Sequence, residues 1–342
     1  MGDRLGKIGL AGLAWLAAGM ALAQPAPVTV PQGAYHVDQS WPAQLPNKWL
    51  IGDVGGVGVD RHDHVWIVHR PGSLSIAETQ AGSNPPTAKC CVAAPPVLEF
   101  DTSGKLLRGW GGKDIPDWFT SEHSIFADAN DHIWILGAGA KDGQLLKFDM
   151  HGKLLLRIGR KADFAAADDP TILGMPTDVY VDTKAREVYV SDGYRNHRVI
   201  VFDSETGAYK RQWTAFGRKV DGAWASAPDA IGSRGVRDPQ LFTTVHCVTM
   251  IGAEVFVCDR NNSRIQIFKP DGTYLREIFY NRGMAGAAGS TWDAAPVPGK
   301  PNLILALDGV NSEFALLDTK TGAVSASYQN KGRYAGQMHW PH

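Results

Sequence analysis

The sequence predicts an all-β fold: a six-bladed β-propeller whose sixth blade is truncated at the C-terminus. Three observations predict it. Short alternating apolar strands recur in pairs split by polar turns. The pairs return once per 46 to 69 residues, with starts near residues 55, 123, 177, 246, 292 and 342. Glycine (38), proline (20) and tryptophan (11) are plentiful, which suits short strands and tight turns better than long helices.

The chain opens with Arg4 and Lys7, then an apolar run from Ile8 to Leu22, then Ala21-Leu22-Ala23. A positive start, an apolar centre and a small-x-small end make a secretory signal, cut after Ala23. The run falls short of the roughly 20 residues a membrane-spanning helix needs. The expected product is soluble and exported, periplasmic or secreted, with no membrane attachment after cleavage. Residues 24–50 read as a lead-in segment and 51–342 as the propeller.

The repeats follow in order. Gly55 to Asp60 pairs with His64-Val65-Trp66-Ile67-Val68, and His123 to Asp128 with His132-Ile133-Trp134-Ile135-Leu136. Thr177 to Asp182 precedes Glu187-Val188-Tyr189-Val190. His246 to Met250 precedes Glu254-Val255-Phe256-Val257. Trp292, with Asn302 to Leu307, opens a degenerate fifth copy. Two further strands close most copies, as in Arg198 to Asp203 followed by Tyr209 to Trp213. Four strands per repeat around a channel is propeller architecture. The sixth start is His342, so completing that blade would take roughly 35 to 45 further residues. Asp259-Arg260-Asn261-Asn262-Ser263-Arg264-Ile265 fits D-x-x-N-x-R-[IV], the pattern of NHL-type blades, and Asp192 to Val199 repeats it with one extra residue. These Asp, Asn and Arg side chains are expected to bond blade to blade.

A formal charge of -1 from 34 Lys+Arg against 35 Asp+Glu excludes a generic nucleic-acid binder. Cys247 and Cys258 lie symmetrically about a turn near Gly252-Ala253. They read either as a cross-strand disulfide or as two buried thiols. Adjacent cysteines rarely bond to each other, so Cys90 and Cys91 are expected to have other partners.

His123, His246 and His342 occupy the same phase at three blade starts. First strands line the channel, so equivalent positions on different blades point to one axis. Three converging imidazoles with an open fourth position are the ligand set of catalytic zinc.

These features resemble the peptidyl-α-hydroxyglycine α-amidating lyase, over about Gly55 to His342. The most specific stretch runs from Pro176-Thr177-Asp178-Val179 to Ser191-Asp192-Gly193-Tyr194-Arg195-Asn196-His197-Arg198, followed by Val257 to Phe268 and by Val68-His69-Arg70-Pro71-Gly72. The resemblance implies zinc on His123, His246 and His342, with Tyr194 as base and Arg70 and Arg260 as active-site arginines. It also implies a structural calcium on the backbone carbonyls of Val57 and Ile125. The implied reaction cleaves an N-acyl-α-hydroxyglycine, small or peptidic, to an amide and glyoxylate. The chain departs from the family where Trp340 replaces a methionine and Arg195 a cysteine. No copper monooxygenase domain accompanies it, so a separate partner enzyme would supply the substrate. Two other readings stand beside this one. The first is a non-catalytic NHL-repeat propeller binding a protein or glycan partner through the insertions Gly72 to Pro96 and Phe216 to Gln240. The second is a calcium lactonase, which would need acidic and Asn channel ligands where this chain has histidine.

Overall fold

Five sheets follow one another in chain order, each built on four antiparallel strands taken in chain order. The computed structural model describes residues 28–29, 38, 40–163, 168–220, 240–283, 288–333 and 337–341. The expected signal segment, residues 1–23, and His342 lie outside these, as does most of the Phe216 to Gln240 insertion.

The first strands of the blades are Asp53–Val59, Glu122–Ala127, Asp178–Asp182, Val245–Ile251 and Asp293–Pro296. They stand side by side around a channel, and the other three strands of each blade lie progressively further out. Apolar side chains pack in layers between neighbouring sheets. Trp134, Leu145, Val179 and Val190 join blades two and three. Tyr189, Val201, Val248 and Phe268 join three and four. Cys247, Ile265, Ile304 and Leu317 join four and five. Blades in mid-ring are therefore buried on both faces. In blade three the second strand, Glu187–Asp192, is buried at every position, whereas in blade five Leu303–Asp308 alternates buried with half-buried. In blade one, Val57 is 61% and Val59 59% exposed, while Gly56 and Gly58 on the same strand lie against the backbone of blade two.

The expectation of six blades is corrected to five among the described residues. The sixth repeat start falls at His342, so the five strand-bearing repeats make five sheets. One lead-in strand, Val28–Thr29, pairs in parallel with the outermost strand of blade five, Val324–Gln329. Another, Trp49–Leu50, pairs with Val92–Ala93 of the long blade-one insertion. No helix among the described residues is long and apolar enough to cross a membrane.

Cys247 and Cys258 are directly opposed across the first two strands of blade four and form a disulfide, with Cα atoms 4.8 Å apart. Cys90 and Cys91 are bonded to each other across a cis peptide, against the expectation of separate partners. Both lie in the insertion after blade one's second strand, and no other cysteine is left to pair with them.

Antiparallel pairing decides which segments share a face. The entry to each first strand, the corner between second and third strands, and the segment after each fourth strand lie on one rim. That rim carries nearly every predicted site residue.

Candidate active site

His123 enters the first strand of blade two and His246 that of blade four. Their imidazole centroids are 5.4 Å apart. Each ring is held by the blade that follows it. His123 Nδ1 is 2.7 Å from the Thr177 carbonyl oxygen, and His246 Nδ1 is 2.5 Å from that of Trp292. A carbonyl can only accept, so each Nδ1 carries the proton and each Nε2 presents a lone pair. Both Nε2 atoms converge on Tyr194, whose hydroxyl lies 3.2 Å from His123 and 2.9 Å from His246. One phenolic proton can serve only one of them. Two carbonyl-anchored imidazoles with converging lone pairs are a metal-binding arrangement supported by its outer shell. These two donors fit zinc, and the third expected ligand, His342, lies outside the described residues.

Tyr194 and Arg260 come from homologous corners of blades three and four. Asp192 accepts from Gly174 N (2.6 Å), Asn196 Nδ2 (2.6 Å) and Arg198 Nε (2.9 Å). Asp259 accepts from Thr243 N (2.9 Å), Asn262 Nδ2 (2.8 Å) and Arg264 Nε (2.7 Å). Each Arg also donates to the connection entering its blade, Arg198 to Ile172 O and Arg264 to Leu241 O. These buried triads bond within one blade and the connection entering it, not blade to blade as expected, and leave the residues between Asp and Asn to face the site. Gly193 is required there, since a β-carbon would fall 1.6 Å from the Val245 carbonyl oxygen.

Arg260 Nη1 lies 3.3 Å from the Tyr194 hydroxyl. Its guanidinium carbon sits 4.7 Å from the Trp292 ring centroid and 5.4 Å from that of Tyr194. Arg70 reaches the same rim differently: its Nε donates to the Glu122 carbonyl (2.7 Å), one residue before His123. The Glu122 carboxyl is pushed up by burial, opposed by a bond from Trp118 Nε1.

Beneath this cluster the channel forms a cavity of about 590 Å³ walled by the first strands of all five blades, Val57 and Ile125 included. Asp178 and Asp293 line the same wall. Asp178 accepts from Ser124 Oγ (2.7 Å) and Val248 N (3.0 Å). Burial and the Asp293 charge both push the Asp178 carboxyl up, and burial raises that of Asp293. Sequence reasoning missed both, although each directly follows a blade-start residue, Thr177 or Trp292. Carboxylates in the channel were the feature asked of a calcium lactonase, but here they share it with the two histidines. It also missed the anchoring carbonyls of Thr177 and Trp292, which no side-chain pattern can reveal.

Among the described residues, one other group could hold a metal: Asp60, His64 and Glu99. Its acids are already committed, Asp60 to Trp66 Nε1 and backbone N–H groups, Glu99 to His64 and Arg108. Blade two repeats the Asp–Trp bond in Asp128 and Trp134, so this is a feature of the repeat.

Comparison with known proteins agrees first on the class. Residues 173–202 match the NHL repeat, the stretch that holds Asp192, Tyr194, Asn196 and Arg198. The relatives then narrow it. Peptidylglycine alpha-amidating monooxygenase of Rattus norvegicus is 29% identical over 263 residues, covering 72% of this chain and 24% of that protein. A probable peptidyl-alpha-hydroxyglycine alpha-amidating lyase of Caenorhabditis elegans is 24% identical, covering 64% of this chain and 56% of its own length. NHL repeat-containing protein 3 of Mus musculus is 24% identical over 85% of this chain and 80% of its own. The chain thus spans about a quarter of the amidating monooxygenase. Among solved structures, virginiamycin B lyase of Staphylococcus aureus aligns with a TM-score of 0.47 at 9% identity, covering 82% of this chain and 71% of that one. The chain is a β-propeller with an NHL repeat and distant homology to the amidating enzymes.

Proposed function

We propose that this protein is an exported, zinc-dependent carbon–nitrogen lyase acting on an N-acyl-α-hydroxyglycine. The observation that carries the reading is the convergence of His123 Nε2, His246 Nε2 and Arg260 on the Tyr194 hydroxyl. Zinc would be held by His123, His246 and His342, and when bound it lowers the pKa of a hydroxyl oxygen beside it. Tyr194, its own proton given up and held as phenolate beside Arg260, takes the proton from the substrate hydroxyl. The C–N bond breaks, its electron pair leaves with nitrogen, and the O–H electrons close the carbonyl of glyoxylate. The same proton, returned from Tyr194, completes the amide, so one residue serves as base and then as acid. Arg260 offsets the negative charge on the Tyr194 oxygen before that transfer, and Arg70 offers a second cation for the substrate carboxylate. Both Nδ1–carbonyl bonds keep the imidazoles in the tautomer this scheme needs.

A structural calcium belongs to the same reading, on the carbonyls of Val57 and Ile125. Asp178 and Asp293 favour it, because a cation in the cavity would offset the burial that raises both carboxyls and the Asp293 charge that adds to it at Asp178.

The test is zinc per chain together with conversion of α-hydroxyhippurate to benzamide and glyoxylate. About one zinc, lost in His123→Ala, and turnover lost in Tyr194→Phe are expected. Absence of zinc, or turnover indifferent to Tyr194, would sink the reading. A second reading, a non-catalytic propeller that binds a protein or glycan, draws on the near full-length match to NHL repeat-containing protein 3. It predicts no glyoxylate and no zinc.

A further inference from the structure

A row of aromatic side chains leads out of the site. Trp292 lies beside His246, with centroids 5.9 Å apart, and its ring carries the Arg260 guanidinium. Trp340 follows at 5.4 Å from Trp292, the two planes inclined at 67°. An edge-on contact of this kind covers at most one face of Trp340. Of the described tryptophans only Trp340 is exposed, at 53%. Its position is set by backbone bonds: Met338, two residues before it, bridges in parallel to Lys331, with Met338 N to Asn330 O (2.7 Å) and Gly332 N to Met338 O (2.9 Å).

We infer that Trp340, footed on the buried Trp292 ring, forms a ledge that selects a planar aromatic acyl group on the substrate. The inference rests on the lyase reading for what is bound at the ledge's inner end. In an N-acyl-α-hydroxyglycine the carboxylate and hydroxyl share one carbon, and the acyl group leaves it through the amide nitrogen. With the charged end at Arg260, Tyr194 and the histidines, the acyl group extends away from them. Trp340 stands two ring contacts from His246, in reach of a benzoyl group and out of reach of an acetyl. An indole face held in water gains most from a flat apolar partner, since stacking adds to area burial.

The experiment compares N-benzoyl- with N-acetyl-α-hydroxyglycine in the intact protein, Trp340→Ala and Trp340→Phe. The benzoyl-to-acetyl ratio of kcat/KM should fall about tenfold in Trp340→Ala, through KM, and largely return in Trp340→Phe. An unchanged ratio overturns the inference. Binding separates this from failure of the lyase reading. Hippurate and N-acetylglycine cannot undergo the cleavage, so their affinities by calorimetry test the ledge even if neither hydroxy compound turns over. Tighter binding of hippurate that disappears in Trp340→Ala supports the ledge. Equal binding of the two, or binding of neither, overturns it.

Discussion

Blades three and four share one plan and differ at each position that faces the site. At the blade start, blade three has Thr177 and blade four His246. Next come Asp178 and Cys247, opposed in the neighbouring strand by Ser191 and Cys258. At the corner, Asp192, Asn196 and Arg198 correspond to Asp259, Asn262 and Arg264, but the chain between them presents Tyr194 in one and Arg260 in the other. The repeat thus separates duties. Buried ion pairs hold the corner, and the intervening residues are free to carry chemistry. The blade-start residue contributes through its side chain in blade four and through its carbonyl in blade three, where it anchors the histidine of the preceding blade.

The largest effect should come from exchanging what the two corners present. Tyr194→Phe removes the oxygen that both histidines and Arg260 approach, and kcat should fall about 10²- to 10⁴-fold. Arg260→Gln should cost less, because the proton carrier remains. Steady-state glyoxylate release measures both. Equal losses would mean that Arg260 has a share in the proton transfer itself.

Stability sharpens the comparison next. Asp192→Ala leaves the buried Arg198 charge without its carboxylate and should destabilise the fold by about 3–5 kcal/mol in guanidinium titration. Asp259→Ala should cost less, because Arg264 keeps Glu277 at 3.1 Å. Arg198 has only Gln212 and the carbonyls of Asp169 and Ile172. The reverse order would place the bracing elsewhere.

Replacing Cys247 and Cys258 together by alanine should cost roughly 2–4 kcal/mol by opening the closed loop that joins the two strands. The same change at Cys90 and Cys91 closes or opens no loop of any length and should fall within about 0.5 kcal/mol. Thermal melts of the two double variants check the contrast.

What the sequence revealed, and what it did not, follows the same division. The repeat was readable because strand alternation and the Asp-Asn-Arg spacing recur in side chains. His123 and His246 were readable because three repeat starts, His342 included, place the same residue at one phase. Tyr194 and Arg260 stand at offset positions of corners that differ by one residue in length, and only a family resemblance singled them out. The carbonyls of Thr177 and Trp292 leave no mark, since any residue supplies one. Asp178 and Asp293 share a phase in blades three and five, but that both line one cavity needed the arrangement of the blades in space. The blade count came out at five because a repeat start marks where a blade begins and not that its strands follow.

The smallest effect lies where blade three carries an acid and blade four a disulfide. The folded Asp178 carboxyl is raised from its ordinary value to about 7. The native state therefore binds more protons than the unfolded chain between the ordinary carboxylate range and about pH 7, and stability falls as pH rises through that window. Asp178→Asn can keep both hydrogen bonds, its oxygen accepting from Val248 N and its amide donating to Ser124 Oγ, while removing the charge. It should flatten the decline in Tm across that window. Calcium in the channel should act in the opposite sense, raising Tm more at pH 8, where the acids are ionised, than at pH 5. That response should shrink in Asp178→Asn. A calcium shift of equal size at both pH values, undiminished in the variant, would place the ion away from this pair and leave the acid of blade three as a purely structural bridge among blades two, three and four.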